Sequence, residues 1–153
     1  MIAVSACLLG YMCRYDGKNK KNRRLLEVLE SDEIMPICPE QLGGLPTPRY
    51  PSNLLGGDGF DVLNGKAKVV SIYGIDNTKA FLKGAHAALY KIRKNNVTLC
   101  YLKGKSPSCG AGTRARLCAG TDKSAETNFI AGRITGVTAA LLMREKIKVK
   151  SIG

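Results

Sequence analysis

Ile2-Ala-Val-Ser-Ala-Cys7, stopped by Gly10, is an apolar run too short for a helix and of the right length for a buried strand. The segments after it decide the fold. A turn stands at Asp16-Gly17. From Asn19 to Glu30, Leu25, Leu26, Val28 and Leu29 are spaced for the buried face of an amphipathic helix. Ile34-Met-Pro-Ile-Cys38 is again short and apolar, with Pro36 marking a strand end. Residues 43–61, rich in glycine and carrying Pro46, Pro48 and Pro51, read as a long loop of the kind that is often functional. Phe60–Leu63 and Lys66–Ile72 flank Asn64-Gly65, a hairpin signal. Asn77–Lys94 places Phe81, Ala85, Leu89 and Ile92 on one helical face and stops at Asn95-Asn96. Val97–Leu102 is a further strand, running into a stretch from Gly104 to Gly110 that cannot continue it. Residues 111–131 are polar and weakly patterned. Thr135–Lys146 is a helix with Val137, Leu141 and Leu142 inward, and Ile147–Ile152 alternates like a last strand. This order predicts one α/β domain over residues 1–153. A mostly parallel sheet is flanked by helices in Rossmann-like layers, with a small hairpin insertion.

The chain has 153 residues, 24 Lys+Arg against 12 Asp+Glu, a net charge of +12 and 44% hydrophobic residues. That is a folded, strongly basic protein rather than a disordered one. No run of about 18 apolar residues exists, so no membrane span is expected. Residues 1–10 lack the pattern of a signal peptide, and six cysteines are too few for a disulfide scaffold, so the chain reads as cytoplasmic. Its cysteines are then metal ligands, catalytic thiols or buried apolar residues.

Three of them share one address. Cys7 ends the first strand, Cys38 the second, and Cys109 sits in the loop that leaves the third. In an open parallel sheet the carboxyl ends of the strands are where loops converge and ligands bind. Separate segments can thus deliver three thiols to one place. Cys100 falls inside a strand, where a buried, inert thiol is expected. Cys13 reads as a redox partner, a spare ligand or a packed thiol, and Cys118 lies in the weakly patterned stretch. His86, the lone histidine, sits among alanines on a helix, so a zinc ion would have to be bound by cysteines alone.

Four groups of residues, in order along the chain, resemble the DUF523 family, which includes the thiouracil desulfidases. They are Cys7-Leu-Leu-Gly10, Cys13-Arg-Tyr-Asp-Gly17, Cys38-Pro-Glu40 with Gly43-Gly-Leu-Pro-Thr-Pro-Arg49, and Lys103-Gly-Lys-Ser-Pro-Ser-Cys-Gly110. Gly74-Ile-Asp-Asn-Thr78 before a helix and Gly136-Val-Thr-Ala-Ala-Leu-Leu142 near the end also look like that family. The resemblance implies a 4Fe-4S cluster held by Cys7, Cys38 and Cys109, with one iron not ligated by protein. It also implies Glu40 and Ser106 as the catalytic pair. The implied substrate is a small thiolated pyrimidine (thiouracil, thiouridine or thio-UMP), whose sulfur is replaced by oxygen from water without net redox change. An iron without a protein ligand is a substrate position, and soft thione sulfur suits it. Glu40 would activate water, and Ser106 would relay or donate a proton.

The chain departs from the family in one stretch. Where Ile-Tyr-Asp-Gly-Thr is expected it reads Leu117-Cys-Ala-Gly-Thr121, and Gly132-Arg-Ile-Thr-Gly136 stands in place of a tight Gly-x-Gly, so substrate preference is expected to differ. Arg14, Arg49 and Ser108, lying in motifs beside the presumed ligands, are expected to contact substrate. Lys18, Lys20, Lys21, Arg23 and Arg24 form a basic run that is either a solvated face or an attractor of phosphate. With no Trp and nine aromatics the chain offers little for base stacking, so a small anionic substrate is favoured over tRNA. The competing readings are a noncatalytic iron-sulfur carrier, a thiol redox sensor built on Cys7 and Cys13, and a desulfidase or deselenase acting on tRNA.

Overall fold

The computed structural model describes residues 1–114, 117, 118 and 133–153; at positions 113, 114, 117, 118 and 133 it describes the backbone only. The main sheet has four strands, all parallel, in the order β2-β1-β5-β9. These are β1 (Ile2–Ser5), β2 (Ile34–Ile37), β5 (Leu99–Lys103) and β9 (Lys148–Ile152). Alternation along the central strands assigns the two faces. Ala3, Cys100 and Leu102 point into the larger core, with Phe81, Ala85, Leu89, Ile92, Leu141 and Leu142; Val4 points into the smaller one, with Leu8, Leu25 and Leu29. The sheet is therefore covered on both sides, as parallel sheets are. Pro36 is accommodated because β2 is an edge strand, bonded only to β1.

The helices are α1 (Ala6–Leu9), α2 (Arg23–Val28), α3 (Pro39–Leu42), α4 (Gly59–Leu63), α5 (Thr78–Lys94) and α6 (Val137–Arg144). The expected face of α5 is the observed one: Phe81, Ala85, Leu89 and Ile92 are all buried. Helix α2 is shorter than its pattern suggests because Asn22 caps it, its side chain accepting from the backbone N–H of Leu25 at 2.9 Å. Only Leu25 and Leu29 of the expected face are buried, and Val28 is 67% exposed.

The hairpin insertion exists, and its second strand lies within Lys66–Ile72 as expected, but its first strand is not Phe60–Leu63. The two strands are β3 (Ser52–Leu55), inside the stretch read as loop, and β4 (Lys68–Ser71), antiparallel with Leu55 opposite Lys68. Phe60–Leu63 belongs to α4. Asp58 and Asp61 close a capping box at its start, and Asn64-Gly65, with Gly65 at φ +74°, ends it rather than forming a hairpin turn. Strand β3 also pairs in parallel with β7 (Leu117–Cys118), and β6 (Thr113–Arg114) pairs with β8 (Arg133–Ile134). The expectation for the side chain of Cys118 lies outside the described residues. Among the described residues, no helix is long and apolar enough to cross a membrane.

Two close backbone approaches fix the elements that carry the motifs. A Cβ on Gly84 would lie 1.9 Å from the carbonyl oxygen of Pro39, and one on Gly43 would lie 2.1 Å from that of Ala80, so α3 sits directly on α5. At the other site a Cβ on Gly136 would lie 2.5 Å from the carbonyl oxygen of Ser108. There the first N–H groups of α6 are capped by the loop after β5. Val137 donates to Pro107, and Thr138 and Ala139 donate to Ser108, at 2.9–3.1 Å.

Candidate functional site

Three adjacent strands, β2, β1 and β5, end at the same edge and each leads to a cysteine. Cys7 lies in the first turn after β1 rather than on the strand itself. Cys38 comes directly after β2 as the N-cap residue of α3, and Cys109 lies in the loop after β5. A fourth thiol joins them. Gly10, at φ +106°, turns the chain back so that Cys13 is buried in the same cluster as Cys7.

Cys13 stands between two of the others. It donates a hydrogen bond to the sulfur of Cys7, the main cause that lowers the Cys7 pKa below the ordinary thiol value against burial and the neighbouring thiols. Cys38 donates to Cys13 in turn and lies 3.8 Å from its carbonyl oxygen. That bond lowers the pKa of Cys13, but the bond Cys13 gives to Cys7 and its burial outweigh it, and Cys13 is pushed up to about 11. Donation to Cys13, and then burial, raises Cys38. Burial pushes Cys109 up to about 12, while the hydroxyls of Ser5 and Ser108 bond to its sulfur and work the other way.

Thiol–thiol hydrogen bonds and burial thus keep Cys13, Cys38 and Cys109 above the ordinary thiol value despite the nearby arginines, and a bound cationic centre would lower them. Among the described residues, no three His, Cys, Asp or Glu side chains are arranged to hold a single metal ion. A four-iron cluster makes a different demand, since each thiolate binds a different iron. Thiols delivered by three separate strand ends suit that donor set.

Glu40 sits in the first turn of α3, two residues beyond Cys38, and its charge is felt by both Cys38 and Cys109. Its carboxylate is held by Arg49, through Nε at 2.8 Å and through Nη2, both on Oε2. Ser106 accepts hydrogen bonds from the backbone N–H groups of Ser108, at 3.1 Å, and Cys109, at 3.0 Å. Both lone pairs of its hydroxyl are therefore engaged, and its hydrogen is left to donate. The preceding Lys105 takes a left-handed conformation at φ +61° to make this turn.

The expected substrate contacts divide. Arg14 lies close enough for its charge to lower the pKa of Cys7, and it also pairs with Asp16 at 3.4 Å and stacks on Tyr15. The Arg49 side chain is turned inward and engaged with Glu40. Ser108 is fully buried, and its hydroxyl meets that of Thr138 at 2.9 Å, so it lies inside the fold and not on a substrate surface. Lys18, Lys20, Lys21, Arg23 and Arg24 are all exposed, as is His86. Cys100 is fully buried in β5, and burial alone raises its pKa to about 12.

Two features of the site carry no signal in the sequence pattern. Nothing in the spacing separates Cys13 from a merely packed thiol, although the glycine between it and Cys7 marks the reversal that brings them together. The Glu40–Arg49 pair spans nine residues of proline-rich chain, where no periodicity signals a contact.

Comparison with known proteins gives three findings. The model of the 2-thiouracil desulfurase family matches residues 2–152. The chain is 40% identical over 153 residues to the uncharacterized protein YbbK of Bacillus subtilis (strain 168), covering 99% of this chain and 95% of that one. It is also similar to the solved structure of a 4Fe-4S-dependent thiouracil desulfidase, TudS (DUF523Vcz). The TM-score is 0.76 at 36% identity, over 98% of this chain and 89% of that one.

Proposed function

Since the chain belongs to the 2-thiouracil desulfurase family, we propose that it removes sulfur from a thiolated pyrimidine with a 4Fe-4S cluster held by Cys7, Cys38 and Cys109. The observation that carries this is the convergence of three strand-end thiols on one edge of the sheet, with a carboxylate two residues beyond one of them. When bound, the cluster supplies an iron free of protein ligands, a soft Lewis acid suited to thione sulfur. The protein's own groups do the rest.

Glu40 is the base. Its carboxylate is buried on the side that meets Arg49, and it accepts the proton of a water that adds to the ring carbon bearing sulfur. Ser106 is the donor. With both lone pairs held by the N–H groups of Ser108 and Cys109, its hydroxyl hydrogen is left to hydrogen-bond the ring or the departing sulfur. Oxygen replaces sulfur, sulfide leaves, and no net oxidation occurs.

The cations grouped around Lys103, beside Cys7, favour a phosphorylated pyrimidine over the free base. Lys103 is partly buried there, where burial lowers its pKa, and it feels the charges of Cys7, Arg14, Lys105 and Lys20. Such a group of positive charges suits a nucleotide phosphate. Turnover of thiouracil, thiouridine and thio-UMP by anaerobically reconstituted protein in oxygen-18 water tests the reading. Labelled oxygen in the product together with free sulfide is the expected result; loss of sulfur without label contradicts it.

A further inference from the structure

The geometry points to Arg49 as the residue that positions Glu40, rather than as a contact for substrate. This rests on the reading of Glu40 as the base. All five guanidinium hydrogens of Arg49 have acceptors within the protein. Nε donates to Oε2 of Glu40 at 2.8 Å, and Nη2 donates to the same oxygen. Nη2 also reaches the carbonyl oxygen of Cys13 at 3.0 Å. Nη1 reaches the carbonyl oxygen of Pro46 at 3.2 Å and the hydroxyl of Thr47 at 3.1 Å. The side chain is only 8% exposed, and the backbone N–H of Arg49 donates to the carbonyl of Tyr15 at 2.8 Å.

One side chain therefore joins three separate motifs: the loop carrying Cys13 and Tyr15, the helix carrying Glu40, and the proline-rich segment before Arg49. Thr47 strengthens the junction by accepting from Gln41 of α3 at 2.9 Å. Both contacts to Glu40 fall on one oxygen. The carboxylate is fixed in orientation with Oε2 facing the guanidinium, and Oε1 is left for the water whose proton it takes. A lysine has the charge but not the fork, so it cannot hold Glu40 and the Cys13 carbonyl together. Misplacing a base by about 1 Å costs roughly 100-fold in rate.

The test uses reconstituted Arg49→Lys and Arg49→Ala proteins with thio-UMP. Iron content and visible absorbance report cluster loading, and circular dichroism reports fold. The inference expects loading to be kept in Arg49→Lys, with kcat down by roughly 10–100-fold and KM changed by less than about threefold. In Arg49→Ala, guanidinium ion well below denaturing concentration should restore part of kcat. The decisive readout is the pair Glu40→Gln and Glu40→Gln/Arg49→Lys: if Arg49 acts through Glu40, the double variant is no slower than Glu40→Gln alone. A rise in KM with kcat unchanged, or a further loss in the double variant, overturns the inference. If Arg49→Ala does not fold, Arg49→Lys and the double variant carry the test. Full activity in Glu40→Gln overturns the base reading itself; loss of activity there with fully active Arg49 variants overturns only the positioning role.

Discussion

The carbonyl oxygen of Pro39 occupies the space that a Cβ of Gly84 would need, 1.9 Å away. Helix α3, which carries Glu40, rests on α5 at the closest distance a backbone allows. Gly84→Ala should therefore force α3 outward and cost about 1–3 kcal/mol, as overpacked cores do. Urea unfolding measures the cost, and kcat should fall with it because Glu40 moves with the helix. A variant as stable and active as the parent would show that the contact does not set the position of α3.

Ser108 offers a sharper test of which residues face substrate. Its hydroxyl is buried against Thr138, so Ser108→Ala leaves the threonine hydroxyl without that partner and should destabilise the fold by about 1–3 kcal/mol. KM for the thiolated substrate should stay as it was. A raised KM at unchanged stability would restore Ser108 as a substrate contact.

Thiol chemistry separates Cys100 from the site. It is fully buried in a central strand, and its pKa is raised to about 12, so almost no thiolate exists at about pH 8. In reduced, cluster-free protein, alkylation at that pH and then peptide mass spectrometry should find Cys100 unmodified until denaturant is added. Labelling of Cys100 in the native protein would contradict its place in the core.

Charge around the site predicts which form of the pyrimidine is preferred. With Arg14, Lys20 and Lys105 grouped around Lys103, kcat/KM for thio-UMP should exceed that for thiouracil by about tenfold or more. The advantage should shrink between about 50 and 200 mM salt as screening grows. In filter binding, tRNA should show no strong salt-dependent retention. Steep salt dependence with tRNA would instead favour a polynucleotide substrate.

Much of this molecule is legible in its sequence because local patterning and global fold agree. The buried face of α5, the strand runs at Ile2 and Val97, and the thiols beyond the strand ends could be read directly. The insertion could be read only in part. Asn64-Gly65 suits both a hairpin turn and a helix end, and the capping box of Asp58 and Asp61 at the start of α4 decides for the helix. At the site, the positions of Glu40 and the three strand-end cysteines were legible from their motifs. The contact of Arg49 with Glu40 was not, because its motif suggests a substrate contact until the acceptors around its guanidinium are seen. Cys13 likewise needed the left-handed turn at Gly10 to bring it between Cys7 and Cys38.

The central claim is that Cys7, Cys38 and Cys109 hold the cluster while Cys13, although packed against two of them, does not. Iron and acid-labile sulfide counted after anaerobic reconstitution test it directly, with single alanine variants of all four residues. The account predicts about four irons and four sulfides per chain in the parent and in Cys13→Ala, with broad visible absorbance. It predicts loss of that absorbance in Cys7→Ala, Cys38→Ala and Cys109→Ala. A Cys38→Ala protein that keeps the full complement of iron and sulfide would contradict it.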